Sequence, residues 1–265
     1  MSVSTAFEKA RADGRAALVG YLPAGFPDVE GGIDGLRAMV DAGCDVIEVG
    51  LPYSDPVMDG PTIQAAAQQA LEGGVRTTDV IRTVEAVAGT GVPTVVMTYW
   101  NPVARYGVGR FARDLANAGG AGLITPDLVP DEADEWLAAA DEHDLDKIFL
   151  VAPSSTDARL RRTTDACRGF VYATAVMGVT GARESTSDLA GPLVARTREV
   201  TDLAIGVGLG VSDGDQAAQV AGYADGVIVG SAFVRRLLEA GTDRRSGLDA
   251  LTALTRDLAE GVRRA

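Results

Sequence analysis

The chain has 265 residues, 46% hydrophobic and 23% charged, with a formal net charge of −13. These are globular proportions, and a field of that sign repels nucleic acid and anionic lipid, so neither is expected as a partner. His143 is the sole histidine, and Lys9 and Lys147 are the only lysines. A His-rich zinc site is therefore excluded, Schiff-base chemistry has little material, and Asp and Glu remain in quantity.

The N-terminal stretch MSVSTAFEKARADGR carries no apolar signal core. No apolar run reaches the roughly 18 residues that span a bilayer. Cys44 and Cys167 look unpaired, which suits a reducing, cytoplasmic setting. No linker or low-complexity tract divides the chain, so residues 1–265 read as one domain.

Taken in chain order, a helix over about Ser4 to Asp13 precedes the first strand. Short apolar or β-branched runs then recur: AALVGYL from Ala16, DVIEVG from Asp45, PTVVMTY from Pro93, AGLIT from Ala121, DKIFLVA from Asp146, GFVYATA from Gly169, DLAIGVG from Asp202 and DGVIVG from Asp225. Amphipathic stretches such as GGIDGLRAMVDAG and DEADEWLAAADEH separate them. Eight strands alternating with helices predict an α/β fold, a (β/α)8 TIM barrel with an N-terminal capping helix and extra short helices after strands 2 and 8. An open doubly wound sheet is the alternative, but it would more often carry GxGxxG after its first strand, and none is there. The second and sixth units are longer than the others. Excess length after a barrel strand usually lies in the loop at the catalytic face, so loops 2 and 6 are the first candidates for the site and its lid.

Strand 2 reads Asp45-Val46-Ile47-Glu48-Val49-Gly50. Alternation puts Val46 and Glu48 on one face and Ile47 and Val49 on the other. Both faces of a barrel strand are buried, so Glu48 is either satisfied by a backbone group or a catalytic carboxyl with a raised pKa. Asp59 follows in LPYSDPVMDGPTIQ, a loop stiffened by Pro52, Pro56 and Pro61, with Pro61 suited to the first position of a helix. Alone, Asp55 and Asp59 could be turn residues or caps. With Glu48, two carboxyls reach one barrel mouth. Glycine-rich text after strand 7 (Gly206 to Ser212) and Gly230-Ser231 before AFVRRLLEA fit a barrel phosphate site, though glycines there could simply make turns.

The run from Glu48 to Pro61, EVGLPYSDPVMDGP, resembles the strand-2 and loop-2 signature of the tryptophan synthase alpha chain family. MTYWNP, YATAVMGVTGAR, GVGLGVS and VIVGSAFV extend the likeness in the right order over essentially the whole chain. The resemblance implies a lyase that splits indole-3-glycerol phosphate into indole and glyceraldehyde 3-phosphate. It also implies a beta-chain partner in an α2β2 assembly, and no cofactor or metal. It assigns acid–base catalysis to Glu48 and the indole N–H to Asp59. It places Gly181, Gly210, Gly230 and Ser231 on the phosphate, and Thr180 against Asp59 in a closed loop 6. Tyr172 lies beside the carboxyls, and Tyr21, Tyr99 and Leu209 line the indole pocket. Leu209 and Tyr21 stand where the family often has Phe, which bears on pocket shape. Pro52 and Asp55 are expected to face the partner. Two other readings are a ketose isomerase barrel with a phosphosugar site, and a non-catalytic barrel that only activates a partner. Glu48 and Asp59 together with the phosphate loops argue against both.

Overall fold

A computed structural model describes residues 2–174 and 187–264. The strands are β1 (Ala17–Pro23), β2 (Val46–Gly50), β3 (Thr94–Met97), β4 (Gly122–Thr125), β5 (Asp146–Val151), β6 (Phe170–Thr174), β7 (Ala204–Gly208) and β8 (Gly226–Val229). They form a closed barrel in sequence order, every neighbour parallel, with Ala17 of β1 in register with Gly226 of β8. All eight expected strands are present. The helices are α1 (Ser4–Ala12), α2 (Val29–Ala42), α3 (Pro61–Glu72), α4 (Thr77–Ala88), α5 (Trp100–Tyr106), α6 (Val108–Asn117), α7 (Asp134–Glu142), α8 (Asp157–Ala166), α9 (Ser187–Arg198), α10 (Gly214–Ala221), α11 (Ser231–Ala240) and α12 (Arg244–Gly261).

Local chemistry sets several of these boundaries. The Asp28 side chain accepts the Gly31 N–H at 2.7 Å and starts α2, and Gly43 stops that helix at φ +121°. Pro61 opens α3, where its missing N–H costs nothing. The excess length of the second unit proves to be mainly a second full helix: α3 and α4 lie between β2 and β3. A pair also follows β3, where Gly107 at φ +96° divides α5 from α6. The seven-residue α5 was too short to stand out by periodicity.

Strand alternation sorts the core into two layers. Leu18, Ile47, Val49, Val96, Val171, Val207 and Val227 face outward and pack under the helices. Val19, Val46, Val95, Ile124, Ile148, Phe170 and Ile228 face inward and fill the barrel. A shift of one residue in β2 would exchange the layers and put Glu48 among the helices. The floor is closed by α1. Phe7 lies 5.0 Å from the Phe170 ring, with Val3 and Ala10 buried beside it.

Three aspartates at the floor tie strand beginnings together. Asp45 accepts the Leu18 N–H and pairs with Arg15 at 2.7 Å. Asp146 accepts the Val3 N–H at 2.7 Å and the Arg168 Nε at 3.1 Å. Asp225 accepts the Ile205 N–H and pairs with Arg198. Each carboxylate thus satisfies a backbone donor and an arginine together, which is how a charge tolerates this location. Lys9 and Lys147 belong to the same end, on α1 and early in β5, far from the mouth.

Candidate active site

The inward layer ends, toward the strand C-termini, in a cavity of about 750 Å³ including its open mouth. Its wall combines Glu48 and Asp59 with Tyr21, Tyr172, Leu209, Gly210, Gly230 and Ser231, all expected from the sequence. Met58, Ile63, Met97, Leu150 and Ile228 add an apolar lining that the sequence reading missed. The signal was there for three of them: Met97, Leu150 and Ile228 are inward-facing positions near strand ends, in the phase set by Val95 on β3, Ile148 on β5 and Gly226 on β8.

Glu48 projects from the middle of β2 and is 1% exposed. Its Oε1 has no hydrogen-bond partner among the described residues. Burial alone lifts its pKa from 4.5 to about 8, so it is mostly protonated at neutral pH. Asp59 reaches the same cavity from loop 2 (residues 51–60) and is half-buried. Burial raises its pKa as well, and the neighbouring Tyr99 hydroxyl opposes part of that rise. Burial thus raises both carboxyls of the cavity, and only at Asp59 does a neighbouring hydroxyl oppose the rise.

Glycines at strand ends leave room for the tyrosines. A Cβ on Gly50 would lie 2.2 Å from the Tyr21 hydroxyl oxygen, and one on Gly208 would lie 2.5 Å from that of Tyr172. Both phenols are pushed up in pKa, chiefly by burial and then by the nearby carboxyls, so both stay neutral donors. Tyr99 differs from expectation. It is not among the wall residues; it stands behind loop 2, where its hydroxyl accepts the Met58 N–H at 2.9 Å.

Across the cavity, Gly210 adopts φ +75°, a conformation that favours glycine. Gly230 precedes α11, which begins at Ser231 without a side-chain cap. The first N–H groups of that helix therefore remain available to an anion. Thr180 and Gly181 lie outside the described residues. Pro52 and Asp55 do not reach this cavity. They line a second hollow of about 1000 Å³ with Tyr53, Asn101, Arg76 and Arg105, beside α4 and α5.

Fold and cavity together define a (β/α)8-barrel protein with two carboxyls, Glu48 and Asp59, in the wall of one cavity at the strand C-termini. A family model described as "Tryptophan synthase alpha chain" matches residues 7–263. A tryptophan synthase alpha chain from Salinispora arenicola is 66% identical, covering 98% of this chain and 97% of that protein. One from Nocardia farcinica is 62% identical over 99% and 96%. Among solved structures, Mycobacterium tuberculosis tryptophan synthase superposes with a TM-score of 0.93 at 59% identity, covering 98% of both chains. Tryptophan synthase subunit alpha from Legionella pneumophila reaches 0.90 at 30% identity, over 99% and 98%. The chain belongs to the tryptophan synthase alpha chain family. It is a carbon–carbon lyase that cleaves indole-3-glycerol phosphate to indole and glyceraldehyde 3-phosphate.

Proposed function

We propose that Glu48 and Asp59 divide the chemistry of this cleavage between them. The bond to break joins indole C3 to the hydroxyl-bearing carbon of the glycerol chain. A proton added to C3 makes the ring a cationic indolenine. Loss of the hydroxyl proton then expels the ring, the bonding electrons returning to it as the aldehyde forms. Glu48, protonated at neutral pH, delivers the C3 proton, and its carboxylate is then able to take up the hydroxyl proton. Asp59, ionised, holds the ring N–H as positive charge develops. The observation that carries this reading is Glu48 Oε1, buried and unpartnered in the wall of the cavity.

The apolar wall with Tyr21, Tyr172 and Leu209 suits the indole ring. Gly210, Gly230 and Ser231 suit the phosphate, with Gly181 joining them and Thr180 closing on Asp59. Glu48→Gln and Asp59→Asn keep volume and remove ionisation. Each should lower indole release by roughly 10²–10⁴-fold while an inert indole-phosphate analogue still binds. Release within threefold of wild type by either variant would remove that residue from the chemistry.

The same reading covers the surroundings of the enzyme. The alpha-chain designation of its relatives supports a beta chain as partner in an α2β2 assembly, which receives the indole. We assign that contact to Pro52 and Asp55, a reading supported by their position outside the cavity, in the second hollow. Among the described residues no helix is long and apolar enough to cross a membrane. The free Cys44 and Cys167 suit the cytoplasm. Residues 1–265 act as one domain, a reading supported by α1 at the barrel floor and α12 against α2.

A further inference from the structure

We infer that Tyr99 is a positioning residue for Asp59, its hydroxyl fixing the tip of loop 2 so that the carboxylate faces the cavity. The inference rests on the proposed role of Asp59. Loop 2 has few anchors of its own: it is irregular from residue 51 to 60, and its Val57 side chain is 70% exposed. Tyr99 is 5% exposed and sits on the exit of β3, one of the most constrained places in the barrel. Its hydroxyl accepts the Met58 N–H at 2.9 Å, one residue before Asp59. The same hydroxyl carries one proton, and Asp59 is the acceptor beside it. The phenol therefore holds the backbone at the tip, and its hydroxyl lies near enough to the Asp59 carboxylate to favour the ionised form.

Tyr99 is itself held from three sides. Thr98 donates its N–H to the Ile124 carbonyl at 3.1 Å, which ties this segment to β4. The next N–H, of Trp100, is accepted by Asp127 at 2.9 Å, fixing the start of α5. The Tyr53 ring packs on Tyr99 at 5.3 Å, and Asn101 donates to the Tyr53 hydroxyl at 3.1 Å. On its other side, Asp59 is steadied by Gln64, whose Nε2 donates to the Asp59 carbonyl at 2.7 Å. That contact fixes the backbone and leaves the carboxylate direction to Tyr99.

The titratable groups around the Asp59 carboxylate, among the described residues, are Tyr21 from β1, Glu48 from β2, Tyr99 from the β3 exit and Tyr172 from β6. None is a cation, and α3 contributes only Ile63 and Gln64. Tyr99 is accordingly the one neighbour that favours the ionised form, against a burial that opposes it.

The experiment compares Tyr99→Phe, Tyr53→Phe and Asp59→Asn with wild type, reading kcat and KM for indole-3-glycerol phosphate across pH. Tyr99→Phe retains the ring against Tyr53 and loses only the hydroxyl. Its kcat should fall roughly tenfold, the loss of one charge-assisted hydrogen bond, with KM within about twofold. The acid limb of its kcat profile should move upward by about half a unit or more, because Asp59 loses its donor. Tyr53→Phe should leave that limb in place. A melting midpoint for Tyr99→Phe within a few degrees of wild type shows that the barrel is intact. An unmoved acid limb in Tyr99→Phe, with Asp59→Asn inactive, overturns the inference while sparing the role of Asp59. Full activity in Asp59→Asn overturns both.

Discussion

Glu48 is a buried carboxyl of the barrel interior that opposes folding when ionised, and the same physical reason suits it to the acid role proposed for it. Its Oε1 is buried with no hydrogen-bond partner among the described residues, and burial lifts its pKa to about 8, so the protein holds the acid form at neutral pH. The sign of the stability effect follows. Between the ordinary value of 4.5 and about 8, the folded state binds a proton that the unfolded state has lost. Stability therefore falls as pH rises through that window. Glu48→Gln has no such titration. Relative to wild type it should gain stability from about pH 5 to about pH 8, on the order of a few kcal/mol, in urea unfolding. A constant difference across that range would mean that Glu48 is not held protonated. The proposed roles carry a pH dependence of their own. With Glu48 required as acid and Asp59 as anion, kcat/KM should follow a bell, with its basic limb near 8 and its acid limb above the ordinary Asp value of 3.8.

At the level of strands and loops, the ends of β1, β2, β7 and β8 act as a set. Gly50 and Gly230 are both recessed beneath the Tyr21 ring, so the width of the indole site is set by missing side chains as much as by those present. Gly50→Ala would drive a methyl to within 2.2 Å of the Tyr21 hydroxyl oxygen and push the ring into the cavity. Overpacking of this kind costs about 1–3 kcal/mol. KM should rise roughly tenfold, and both effects should largely vanish when Gly50→Ala is combined with Tyr21→Ala. Equal damage in the two backgrounds would place the strain elsewhere.

The legibility of these elements in the sequence divides along physical lines. Strand positions were readable because each is a short β-branched run between Gly or Asp residues, and the phase of β2 put Glu48 inward beside Val46, as the packing bears out. Asp59 was readable from its loop motif. The role of Tyr99 was not: it depends on a contact between residues 41 positions apart, which no local pattern encodes. The helix pair after β3 was missed because α5 takes its stability from packing, not from an amphipathic repeat long enough to see.

For the molecule as a whole, the second hollow places Pro52 and Asp55 on the same loop as Asp59 but on its outer side. A partner seated there would bear on the loop that carries Asp59, the residue proposed to hold the ring N–H. If it favours the conformation that ligand also favours, linkage requires the effect to be mutual. A glycerol-phosphate analogue in the alpha site should then tighten beta-chain association, by roughly 5–150-fold for ordinary coupling energies. Asp55→Ala should diminish that tightening and affect basal cleavage less. Dissociation constants for both variants, with and without analogue, decide it. An unchanged constant in wild type would leave loop 2 a catalytic loop without a signalling role.

The plugged floor gives the barrel the geometry of a blind well. Phe7 against Phe170, with Val3 and Ala10, shuts the lower end, and the inward valines and isoleucines fill the shaft above it. Among the described residues, substrate, water and indole therefore pass by the mouth and not by the floor. Whatever covers that mouth sets two rates at once, the entry of solvent to the reacting carbons and the escape of the released ring. A body that docks over the rim would receive the indole by position, since among the described residues the floor is closed.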